Sequence, residues 1–151
     1  MSQNVPEPQI AANSATCIHI PVSIGELIDK ITILEIKSER IGDAAKRLNV
    51  QRELAQLQQV WEMSKLDRRL IAQPWDALYA VNAKLWNIED RKRSKEAAAS
   101  FDAEFIELAR SVYIENDHRA AIKRKINEVL GSDIVEEKSY GNYLSANTPP
   151  V

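Results

Sequence analysis

The sequence predicts a mainly α domain of four principal helices packed as antiparallel hairpins, with a minor two-stranded β element joining the chain ends. Three observations carry that reading. Glycine and proline are scarce, four and six among 151 residues, while the strong helix formers Ala, Leu, Glu, Lys and Gln are abundant. Four stretches repeat apolar residues at intervals of three and four, the period of a helix buried on one face. Residues that start and stop helices bound these stretches.

Met1 to Thr16, rich in Gln, Asn, Pro and Ser with no apolar period, is expected to be a disordered tail. A single helical domain is expected over residues 17–143. It opens on CIHIPV, where Ile18, Ile20 and Val22 alternate with Cys17, His19 and Pro21 as in a short strand with one buried face. The most apolar helical stretch is SIGELIDKITILEIKSER, Ser23 to Arg40. Ser23 lies three residues before Glu26, the spacing at which hydroxyl and carboxylate reciprocally cap free backbone N–H groups. Ile24, Leu27, Ile28, Ile31 and Leu34 define one buried face, and Ile33 and Ile36 lie off it. A helix apolar on more than one side packs between others. The same turns carry Asp29, Lys30, Glu35 and Lys37, and Lys30 and Lys37, seven apart, point the same way. Two readings stand: a solvated edge with Glu26 and Lys30 as an i,i+4 pair, or the cationic wall of a cleft.

Gly42 is placed to give a left-handed C-cap and Asp43 to cap a second helix with a core stripe of Val50, Leu54, Leu57 and Trp61. A turn or short helix around Leu66 to Ile71 leads to Pro74, which suits the first position of a third helix buried through Leu78, Val81, Leu85 and Ile88. The basic run at Arg91 reads as a solvated helix end favoured by the macrodipole. Ser100 is the expected cap of a fourth helix ending at Gly131, with a stripe of Phe101, Phe105, Leu108, Val112, Ile122, Ile126 and Val129. Ile134 to Tyr140 is expected as the second strand, residues 134–139 pairing with 18–22, because an isolated strand leaves its backbone groups unpaired. Residues 144–151 are expected to be a second disordered tail.

A net charge of −2 and a pI near 5.8 lack the basic excess of a nucleic-acid protein. The single Cys17 allows no internal disulfide. No apolar run is long enough for a span and no charged-then-apolar leader opens the chain, so a cytoplasmic protein is expected. No cofactor is expected, since no glycine-rich phosphate loop occurs. No metal is expected either: Glu115 and His118 make one Glu-x-x-His, where a di-iron bundle needs two and further carboxylates. Cys17 and His19 lack a third group to orient a base.

The informative irregularity is polar residues on apolar stripes. Asn82 and Glu89 share the face of Leu78, Leu85 and Ile88, with Trp86 beside them. Glu115 and Arg119 interrupt the stripe between Val112 and Ile122, next to Asn116 and Asp117. Burying such groups is costly unless they are paired or face a wet cleft. They form either an internal network that fixes helix register or a polar pocket for an anionic or hydroxyl-rich ligand.

The blocks PVSIGELIDKITILEIKSERI, NVQREL, VNAKLWNIED, FIELARSVY, NDHRAAIKRKIN and GSDIVEEKSY resemble, in order from about Pro21 to Tyr143, a family of small bacterial proteins of unknown function. Genes for cell-surface polysaccharide assembly are sometimes its neighbours. The resemblance implies a shared fold and a bacterial source, and brings no catalytic assignment. A fainter one is to the helical chorismate mutases, which clamp a dicarboxylate between cations of a long first helix and polar groups of later helices. It would place Arg40, Asn49, Arg52, Glu53 and Glu89 in the site, but Asp29 stands where that family carries an arginine in the first helix.

The functional expectation is a cytoplasmic binding or accessory protein, linked to envelope polysaccharide assembly, with a small anionic metabolite or a protein as partner. Its cleft would be lined by Lys30, Lys37, Asn82, Glu89, Asn116 and Arg119, with Glu136, Glu137 and Lys138 at the rim. The residues leave open whether copies associate.

Overall fold

The structure, a computed structural model, describes residues 17–139. The expected tails at 1–16 and 144–151, and residues 140–143 of the expected domain, lie outside the described residues. The described chain forms α1 (Ile24–Arg40), α2 (Ala44–Ser64), a 3-10 turn (Arg68–Ile71), α3 (Ala72–Ala97) and α4 (Ala103–Leu130).

Helix α1 starts where its cap demands: Ser23 Oγ accepts the Glu26 N–H at 3.1 Å. The reciprocal half of the capping box is diverted, because the Glu26 carboxylate accepts from Lys123 of α4 at 2.5 Å. The expected Glu26–Lys30 pair is likewise replaced, with Lys30 reaching across to Glu53 of α2. At its other end α1 stops at an extended Ile41, whose N–H donates to Lys37 O at 3.0 Å. Gly42 is not left-handed, so the expected glycine cap is corrected. Asp43 does cap α2, accepting from Lys46 N at 2.9 Å.

Pro74 sits two positions inside α3, not at its first residue, because the preceding 3-10 turn runs directly into the helix. A proline is tolerated there, since first-turn N–H groups have no partner within the helix. Helix α3 ends without glycine: Ala99 takes a left-handed φ of 48° and the Ser100 N–H donates back to Lys95 O at 2.9 Å. The cap of α4 is Asp102, not Ser100; its carboxylate accepts from Phe105 N at 3.0 Å. The bond from Lys95, followed by that from Phe105 N, holds the Asp102 carboxyl down at about 2. Phe101 therefore precedes the helix, exposed and edge-on to Phe105.

The core joins Ile28 and Ile31 of α1, Ile71 of the turn, Trp75, Leu78 and Val81 of α3, and Ile126 of α4. Each such burial contributes about 1.5–3 kcal/mol. Helix α2 has no fully buried residue; Leu54, Leu57 and Trp61 cover the core from outside, with Trp61 edge-on to Trp75 at 5.3 Å. Arg68 lies over the Trp75 ring, its guanidinium 4.2 Å from the centroid.

Two expectations are corrected. No strand forms among the described residues: Ile18 and Ile20 are 88% and 71% exposed, and Ile134 and Val135 are exposed too. Both segments are exposed, so water can reach their backbone groups, and Ile134 O is met by Ser132 Oγ at 2.8 Å; the pressure to pair is absent. The arrangement is also not one of separate antiparallel hairpins joined by that element. It is centred on α1, which lies against α2, α3 and α4, and this is why α1 is buried on several sides, Ile36 included.

Close approach of α1 to α4 is possible because residue 25 is glycine. A Cβ there would stand 2.7 Å from Lys123 O and 3.0 Å from Asn127 Oδ1. Gly25→Ala is expected to lose about 2 kcal/mol, overpacking outweighing the gain of about 1 kcal/mol in helix propensity. Gly42→Ala, with open space around it, is expected to be neutral or to gain up to about 1 kcal/mol. Ala99→Gly is expected to gain about 1 kcal/mol by relieving the left-handed alanine. Urea unfolding of the three variants checks the order.

Candidate functional site

The polar residues converge where α1, α3 and α4 meet. From α1 come Gly25, Asp29 and Thr32, whose spacings of four and three put them on one face. That face is buried, and Asp29 is only 5% exposed. Asn82 of α3 reaches in between: its Nδ2 donates to Asp29 Oδ1 at 2.8 Å and to Thr32 Oγ1 at 3.0 Å. From α4, Arg119 Nη1 makes a long 3.5 Å contact to Asn82 Oδ1. One turn on, the Lys123 ammonium donates to Glu26 at 2.5 Å and to Glu136 at 2.6 Å, and lies 4.0 Å from Asp29 Oδ2. One further turn on, Asn127 Oδ1 accepts the Gly25 N–H at 2.7 Å, and beyond the helix Ser132 Oγ accepts the Ile24 N–H at 3.2 Å.

Burial pushes the Asp29 carboxyl above its usual range, against the opposing pull of the Asn82 bond and the charges of Arg119 and Lys123. For Lys123, burial alone would lower the pKa. Its bonds to Glu136 and Glu26, with the charges of Glu26 and Asp29, outweigh burial, and the net direction is up. The Glu136 carboxyl is pulled down, first by Lys123. Among the described residues no buried side-chain nitrogen or oxygen lacks a hydrogen-bond partner. The cluster is thus closed inward, and its outer layer is the segment carrying Glu136.

Of the nine residues expected to line a cleft, Asn82, Arg119 and Glu136 come together here. The others are placed elsewhere. Lys30 pairs with Glu53, Glu89 with Lys92 at 3.2 Å, and Glu137 with Arg124. Asn116 donates to Val112 O one turn back in its own helix. Lys37 is half-buried near the end of α1, and Lys138 contributes its charge beside Glu136. The chorismate-mutase-like set is also dispersed: Arg40 donates to Asn87 at 2.6 Å, Glu53 holds Lys30, and Asn49 and Arg52 are exposed on α2. Asp29, Thr32, Lys123 and Asn127 are the members the sequence reading missed. A signal was present: Glu115, Arg119, Lys123 and Asn127 recur at intervals of four along α4.

A groove of about 520 Å³ lies between α3 and α4, lined by Ala80, Val81, Lys84, Glu115, His118, Ala121 and Ile122. None of the nine expected residues lines it. No described helix is long and apolar enough to cross a membrane.

Fold and cluster together define a small helical domain, all-helical among its described residues, whose interior carries a hydrogen-bonded and ion-paired polar cluster. The chain belongs to the family of unknown function DUF6165, whose model matches residues 18–151. No curated protein and no solved structure matches the chain.

The raised carboxyl of Asp29 has a signed consequence. Its folded-state pKa lies above the ordinary 3.8, so the folded protein holds the proton more tightly than the unfolded chain. Asp29 therefore supports the fold most at low pH, and that support falls as pH rises from about 3.8 through the raised value. The stability of the native chain relative to Asp29→Asn is expected to decline over that window. Urea unfolding across a pH series measures it, and a pH-independent difference would contradict the assignment.

Proposed function

We propose that the protein is a cytoplasmic binding domain for an anionic, hydroxyl-bearing ligand, received at the outer edge of the polar cluster by Arg119 and Lys123. In this reading Asn82 orients the guanidinium, and the segment carrying Glu136, Glu137 and Lys138 forms the rim. One observation carries the proposal: Arg119, a half-buried residue with five guanidinium donors, makes a single hydrogen bond among the described residues, the long 3.5 Å one to Asn82, while its charge acts on Asp29 and Glu136. A guanidinium in that state suits the bidentate geometry of a carboxylate or phosphate. Glu136 already offers such a group to Lys123, so a ligand anion would compete with it for the cationic edge.

The chemistry fits binding better than turnover, because the hydroxyl and amine groups of the cluster, Thr32, Lys123 and Ser132, are each engaged in hydrogen bonds within the protein. Service in bacterial envelope polysaccharide assembly, where sugar phosphates and nucleotide sugars unite negative charge with hydroxyls, is the role we attach to this site.

Thermal unfolding with glucose 1-phosphate and with UDP-glucose tests it. Stabilisation of about 1–3 kcal/mol is expected at ligand concentrations well above Kd. Arg119→Ala should abolish the shift, and Glu136→Ala should enlarge it by removing the competing carboxylate. No stabilisation by either compound, or a shift that survives Arg119→Ala, would overturn the reading.

A further inference from the structure

We propose that the α3–α4 groove is a second, separate binding site, for an amphiphilic anion: a small molecule with an apolar body and one carboxylate or phosphate head. The groove has a wall of Ala80 and Val81 from α3 and a wall of Ala121 and Ile122 from α4. Ala80 and Ala121 are exposed, and their small side chains leave the groove open to solvent. The resulting volume of about 520 Å³ falls within the range of small-molecule sites, about 300–1,000 Å³.

The polar end of the groove has an order that selects the sign of the ligand. Glu115 is the buried member, its side chain 8% exposed, and its two oxygens are both engaged. Lys84 Nζ holds Oε1 at 2.6 Å, and His118 Nδ1 lies 3.5 Å from Oε2. The two partners are the exposed members, with side chains 61% and 52% accessible. A visiting molecule therefore meets the cation and the imidazole, not the carboxylate. Among the described residues Lys84 spends one of its three donors on Glu115, leaving two for an anionic oxygen. His118 keeps Nε2 turned away from the carboxylate that holds Nδ1, and in its protonated form Nε2 is a second donor. Glu115 acts as the positioning residue that fixes both groups at the groove's end. An apolar cation would find its counter-charge already covered, and an uncharged apolar molecule would leave the Lys84 donors unused.

Isothermal titration calorimetry of the full chain with sodium octanoate, 1-octanol and octylammonium chloride tests the site. Octanoate is expected to bind with a Kd on the order of 0.1–1 mM, at least about tenfold tighter than octanol. Octylammonium should bind more weakly still. Lys84→Met should weaken octanoate about tenfold while Lys84→Arg retains it, and Ala121→Leu should block the groove. In the native chain, octanoate should move the NMR signals of the His118 imidazole and the Ala80 and Ala121 methyl groups. That measurement stands even if a variant fails to fold. Absence of binding up to about 10 mM, equal affinity for octanol, preference for octylammonium, or shifts confined to residues away from the groove would each overturn the proposal.

Discussion

The structure depends on the docking of the first turn of α1 against the last turns of α4. A helix begins with four N–H groups that have no partner in their own helix. Here three of them are met, Ile24 by Ser132 Oγ, Gly25 by Asn127 Oδ1 and Glu26 by Ser23 Oγ, and the Leu27 N–H then makes the helix's own first bond, to Ser23 O. Two of those acceptors come from more than a hundred residues away, so a local need of α1 is met only when the whole domain has closed. Gly25 sets the distance, since its missing side chain lets α1 approach the Lys123 carbonyl. The positive end of α1 also meets the negative end of α4, an arrangement the helix dipoles favour.

With that contact fixed, the apolar core and the polar cluster follow as two sides of α1. Ile28 and Ile31 meet Ile71, Trp75, Leu78, Val81 and Ile126, whose burial supplies most of the driving force. Asp29 and Thr32 meet Asn82 and Lys123. The polar side adds less free energy, because desolvating Asp29 and Lys123 consumes much of what their attraction returns. What it adds is discrimination. Breaking one partner leaves a buried charge uncompensated, so a slipped or rotated α1 is penalised far more than an apolar interface would penalise it. Lys123 ties the C-terminal segment into the same arrangement through Glu136.

Much of the helical scaffold was legible in the residues. The Ser23 and Asp43 caps, the stripe of α3 and the several-sided burial of α1 follow from spacing alone. The misreadings have physical causes. Alternation in CIHIPV looks like a half-buried strand, but two short segments whose apolar side chains are exposed have no buried face to gain by pairing. Ser100 and Asp102 are both competent caps; Asp102 carries the charge that Lys95 holds. Asn82 and Arg119 were visible as polar residues on apolar stripes, whereas Lys123 and Asn127 were hidden because charged and amide residues near a helix end are ordinarily solvated. Which helix each polar residue faces depends on tertiary approach, and spacing cannot reveal it.

The polar series of α4 shows how one helix serves two interfaces. Glu115, Arg119, Lys123 and Asn127 are four apart, and a step of four residues overshoots a full turn by about 40°. Such a row winds slowly around its helix rather than running straight along it. Its partners change accordingly. Glu115 meets Lys84 of α3, Arg119 meets Asn82 where α3 borders α1, Lys123 meets Glu26 of α1, and Asn127 meets Gly25 at the tip of α1. A row at the heptad average would have stayed with one neighbour. The drift hands the polar groups from one helix to the next, which is how a domain centred on α1 keeps α3 and α4 in register with it, and why the groove at the Glu115 end and the cluster at the Asn127 end are chemically distinct places on a single helix.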